Sequence, residues 1–322
     1  MRLSAQVGVK TAGVLLSCLV IYLILPVELS GDLPTVRVLA FILPFLPALI
    51  WGPIFFGLDR GRKLAAQAVI LAFALGFFIS RLGLSPITAF ARREIWGSEL
   101  QSMLSIGSFS LFWGFLAVFL MFGTLRLTLE SSESFTDIED PVLLAFVTGL
   151  GFALGTNTEI ALSIETLRTG PYLARMMINS FSYSTFAALV GYGVARVKFS
   201  EISGWRFILY QVAASVFAGF VYSLDNVLRL VSPLGIEVQS LANLLIMAGL
   251  SLLVVLFLTK RLKRKCRDAG NRRESITSKP ALLVLLLATI LTATTGFVFR
   301  QADSIVTDVY GKSLELPQGT LI

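Results

Sequence analysis

Apolar residues along this chain fall in long unbroken runs, and the polar residues are gathered between them. Runs long enough to cross a bilayer lie at 9–27, 36–57, 64–83, 104–125, 141–164, 174–196, 206–227, 238–259 and 281–299. Each predicts a helix, because hydrocarbon offers no partner to a backbone that does not bond to itself. The expected fold class is all-α: one polytopic transmembrane domain over 1–322, about nine spans, and no sizeable soluble part. Pro44, Pro47 and Pro53 should kink the second span, and neighbouring helices must then satisfy the freed carbonyls.

Composition agrees with the pattern. The 322 residues are 55% apolar and only 15% charged, with a mean hydropathy of +0.80. So little charge does not cover a soluble surface of this length. The net charge of +7 would suggest nucleic acid on a soluble protein. Here nine basic residues crowd into 260–279 beside a span, which reads as a positive-inside signal and argues against a nucleic-acid partner. Lys260, Arg261, Lys263, Arg264 and Lys265 are candidate contacts for lipid headgroups, and membrane lipids are an expected partner.

Placing the N-terminus in the cytoplasm puts 18 of the 27 Lys and Arg on that side. Nine crossings then leave the C-terminus outside. The N-terminal run is read as a retained span, because Glu28–Asp32 after it lacks a small-x-small cleavage site. Cys18 lies in that run and Cys266 in the basic loop, at different depths, so a disulfide between them is not expected.

Three connecting segments stand out. In 81–103, Ile87, Phe90, Ile95, Trp96 and Leu100 form the apolar positions of a short interfacial helix or of an irregular amphipathic loop. The segment 130–140 is an acidic linker whose spacing lacks a calcium-loop pattern. The outer tail, 301–322, carries scattered apolar residues fit to dock on the protein or a partner.

Polar groups inside a bilayer are costly and gather where a protein acts. The fifth span holds Gly149-Leu150-Gly151-Phe152-Ala153-Leu154-Gly155-Thr156-Asn157-Thr158-Glu159. Gly151 and Gly155 make a face that lets another helix approach closely. Glu159 is a candidate intramembrane carboxylate with Arg168 or Arg175 as partner. The sixth span holds Asn179 to Thr185 and then Gly191-Tyr192-Gly193; the seventh holds Tyr222-Ser223-Leu224-Asp225-Asn226. Asp225 is either a second intramembrane carboxylate or an interface anchor.

These stretches resemble the PrsW family of intramembrane metalloproteases. Glu139-Asp140-Pro141 with Gly149 to Asn157 is similar to the family's acidic-Pro entry and its Gly-x-Gly-Phe-Ala-x-x-Glu-Asn motif. Ile42–Phe56 with Asp59-Arg60, Arg175 through Gly193, and Phe220–Asn226 resemble other family helices, so the likeness covers about 36–230. It leaves 238–259 and 281–299 as extra helices, and it implies a bacterial cytoplasmic membrane. The residues that would hold metal differ, however. The family's Glu-Glu-x-x-Lys has no counterpart in 104–125, which contains neither carboxylate nor lysine. The motif glutamate falls on Thr156, with Asn157 kept; the two histidines fall on Tyr183 and Tyr222, with Asn226 kept.

The chain contains no histidine at all. Phenol and alcohol oxygens are poor ligands for zinc, and a serine protease with a histidine base is excluded as well. The expectation is therefore a non-enzyme without cofactor or metal. Thr156, Asn157, Tyr183, Tyr222 and Asn226 would form a degenerate former site facing one pocket, unless the tyrosines simply pack as aromatics. Such a protein would bind, scaffold or regulate another membrane protein, as a subunit of a membrane complex. A transporter, channel or lipid-handling protein is the alternative, though no internal repeat supports it.

Overall fold

The computed structural model describes residues 28–30, 42–49, 66–96, 103–130, 140–162, 166–199, 204–231 and 283–294, with Val38, Ile246, Gly249 and Val254 besides. The expected span 9–27 and most of 36–57 and of 238–259 lie outside the described residues. So do residues 131–139 of the acidic linker, the basic loop with Lys260 to Lys265, the tail and both cysteines.

Five long helices form the body. They are α1 (Ala66–Trp96), α2 (Met103–Glu130), α3 (Asp140–Leu162), α4 (Thr169–Phe199) and α5 (Gly204–Val231). A shorter apolar helix, α6 (Leu283–Thr294), lies within the last expected span. Four helices are long and apolar enough to cross a membrane: Ala66–Trp96, Ser105–Leu129, Asp140–Leu162 and Trp205–Ser223. The described chain is thus a helical, membrane-embedded bundle. Two three-residue strands complete it, β1 (Glu28–Ser30) and β2 (Thr166–Arg168), paired antiparallel with Leu29 opposite Leu167.

The helices alternate in direction. α3 meets α4 antiparallel: Gly191 lies on Pro141, Gly149 on Ser184, and Asn157 on Met176. α2 meets α5 the same way, with Gly114 on Gly219 and Phe122 on Phe207. α1 and α3, separated by two reversals, run parallel: Gly76 lies on Thr148, Gly151 on Phe73 and Gly155 on Ser80. Chain direction therefore reverses at every connection, as consecutive crossings require.

α4 is the most polar of the five helices and is largely buried. Met176, Phe181, Tyr183, Phe186, Val190 and Val194 are all buried, as are Ser180, Ser182, Ser184 and Thr185. Ser180 donates to the Met176 carbonyl and Thr185 to the Phe181 carbonyl, so these two hydroxyls, unlike those of Ser182 and Ser184, are satisfied within their own helix. Shielded from lipid, α4 need not be as apolar as the helices that wrap it.

One expectation changes. Residues 81–96 form no separate interfacial helix but continue α1 as a single helix from Ala66 to Trp96. Pro86 would normally stop it, since its ring clashes with the carbonyl four residues back. A wide π turn over Ser80–Leu84 absorbs the misfit, and a second follows at Arg92–Trp96. Ile87 and Phe90 are exposed, whereas Trp96 is buried against α2 on Phe109 and Phe112, its indole donating to Ser108 Oγ at 2.8 Å.

Candidate functional site

The site begins with glycines. Gly151 and Gly155 face α1 so closely that a Cβ on Gly151 would strike the Phe73 carbonyl, and one on Gly155 would come within 2.8 Å of the Ser80 Cβ. Gly149 does the same for α4, where a Cβ would meet the Ser184 Cα at 2.6 Å. α3 is thereby pressed on both sides, and its next turn carries Thr156 into the space between α1 and α4.

There the hydroxyls meet. Thr156 Oγ1 is hydrogen-bonded to the Tyr183 phenol at 3.0 Å and lies 3.3 Å from Ser80 Oγ. Ser80 in turn donates to the Phe152 carbonyl at 3.0 Å. Three helices are tied through three side-chain oxygens. Ser80 is wholly buried and Tyr183 nearly so; Thr156 is half-buried. A second polar link lies at the next residue of α3: Asn157 donates to the Met176 carbonyl at 3.2 Å and accepts from Asn179 at 2.8 Å.

Aromatic rings wall the hydroxyls from the other side. Trp113 of α2 stacks on Tyr222 with centroids 4.6 Å apart and meets Tyr183 edge-on at 5.6 Å. Phe152, Phe186 and Phe109 close around the pair. Offset and edge-on contacts of this kind stabilise beyond the area they bury.

The structure brings Thr156, Asn157 and Tyr183 into one cluster and joins Tyr222 to it through Trp113. Asn226 and Asp225 fall in the last turns of α5, beyond the side chains described. Glu159 meets Arg81 of α1, with Nη1 and Oε2 3.7 Å apart. Neither Arg81 nor Ser80 was singled out from the sequence. Both sit in the π turn, and a helical wheel of regular period does not show which way such a turn aims its residues. Trp113 was equally unmarked, because one tryptophan in an apolar run carries no periodic signal.

Chemically the cluster offers alcohols, a phenol and amides. It can donate and accept hydrogen bonds, and it holds helices together. Among the described residues no group of three or more Cys, Asp or Glu side chains gathers as a metal site would. Comparison with protein-family models, with curated proteins and with solved structures finds no match to this chain.

Proposed function

We propose that this chain is a non-catalytic, PrsW-like membrane protein that binds, scaffolds or regulates another membrane protein. The observation that carries the reading is the hydrogen bond between Thr156 and Tyr183, extended to Ser80. In the resemblance these two positions belong to a glutamate and a histidine that serve a metal. Here they are spent on one another, and the indole of Trp113 packs against both aromatic replacements. The chain has no imidazole with which to rebuild the family's metal set.

The same reading holds nine spans, an N-terminus in the cytoplasm and a C-terminus outside, in a bacterial cytoplasmic membrane. The β1–β2 pairing supports the count. Paired strands lie on one side of the membrane, so an even number of crossings separates them. α1, α2 and α3 supply three, and the apolar run 36–57 is the fourth.

The test is gentle purification from the native membrane, with metal and protein partners quantified in the same sample. A stoichiometric membrane-protein partner that is bound but not cut supports the proposal. Metal-dependent cleavage of a transmembrane peptide, abolished by Thr156→Ala or Tyr183→Phe, overturns it. Solute uptake or lipid transfer by the purified chain in vesicles overturns it in favour of a transporter or lipid-handling protein.

A further inference from the structure

The geometry points to a phospholipid site at Arg81, with the lipid's phosphate diester as the ligand. This goes beyond the proposed scaffolding role and does not depend on it. A guanidinium carries five N–H donors. Among the described residues, Arg81 has one charged contact, to Glu159 at 3.7 Å, which is too long for a hydrogen bond, and no hydrogen-bond acceptor reaches its other donors. Charged donors left unmet beside hydrocarbon are expensive, and with none of the described residues meeting them, the surrounding lipid is the source of acceptors that the proposal assigns.

The surroundings say which acceptors. Phe78 and Leu82, on the same face of α1, are 54% and 75% exposed, and Leu162 on α3 is 67% exposed. Arg81 and Glu159 are themselves 33% and 42% exposed. The charges therefore open onto the lipid-facing side of the bundle and not into its core. Glu159 lies roughly 12 Å beyond the middle of α3 at 1.5 Å per residue. The hydrocarbon edge is about 15 Å from the midplane, within reach of a snorkelling arginine. The anion found at that depth is the lipid phosphate, and the guanidinium fork fits its paired oxygens.

Ile70, Leu71 and Phe78 make an exposed apolar strip along α1 below the charge, suited to the acyl chains. Glu159 is the positioning residue, since it draws one edge of the guanidinium toward α3 and turns the other outward. The half-buried Thr156 hydroxyl, one turn from Glu159, ties this rim to the inner cluster.

Native mass spectrometry of the delipidated full chain tests the assignment. The probe is an equimolar mixture of phosphatidylethanolamine, phosphatidylglycerol and diacylglycerol with identical acyl chains. The wild type is expected to retain one phospholipid per chain, with diacylglycerol held about tenfold less. Arg81→Gln should erase that preference, and Arg81→Lys, which keeps the charge but loses the fork, should keep part of it. Equal retention of diacylglycerol by the wild type overturns the proposal without recourse to any variant. An undiminished phospholipid preference in a folded Arg81→Gln protein overturns it as well.

Discussion

At the scale of the residue, the cluster depends on oxygen atoms added to side chains that would otherwise pack as hydrocarbon. Tyr183→Phe keeps the ring on Trp113 and removes only the hydroxyl that Thr156 bonds. It should lower stability by about 1 kcal/mol, the net worth of such a bond, read as thermal unfolding in detergent. Thr156→Val removes two contacts at once and should cost more than Tyr183→Phe. Because the two share one bond, the double variant should fall short of the sum of the singles, and an additive result would mean that the hydroxyls do not interact. Thr156, Tyr183 and Tyr222 were legible in the sequence because an alcohol or phenol inside an apolar run is conspicuous. Ser80 was not, since its importance comes from the π turn that aims it.

At the scale of the element, the seam between α1 and α3 is made of backbone. Gly76 lies against the Thr148 carbonyl, and Gly151 against that of Phe73. Gly151→Leu puts a side chain where another helix's backbone stands, and backbone cannot step aside as a flexible side chain does. The variant should separate α1 from α3 and lose the folded species on size exclusion. By contrast, Gly107→Ala should be tolerated, because nothing lies within 4 Å of its added Cβ. The small-residue face of α3 could be read from spacing, but its partner could not. α1 and α3 are parallel neighbours with a whole helix between them in sequence, and hydropathy does not report which helices touch.

At the scale of the molecule, α3 and α4 are largely buried, whereas α1 and α5 expose most of their apolar surface among the described helices. Among the described side chains of α5 the exposed large apolar residues are Trp205, Leu209, Val216 and Phe220. The β1–β2 pairing fixes a topological relation that this arrangement must respect. With the native Cys18 and Cys266 replaced, Leu29→Cys and Leu167→Cys should form a disulfide under mild oxidation, since directly opposed residues lie about 4.5–5.5 Å apart at Cα. Each single cysteine should be labelled from the same face of sealed vesicles. Labelling from opposite faces would break the even-crossing count and with it the nine-span proposal.

Sequence alone determined the solvent of this protein. A chain with 55% apolar residues in span-length runs must close its backbone hydrogen bonds in helices, whatever the helices go on to do. It also marked the polar positions of 149–159 and 179–185, because such residues are rare at membrane depth. Only the tertiary structure decided the rest: that 66–96 is one helix, that Arg81 stands against Glu159, and that the polar α4 is buried within the bundle. Those outcomes depend on contacts between helices distant along the chain. In lipid such contacts are chosen by close fit and by hydrogen bonds, and neither leaves a periodic trace in a single helix's sequence.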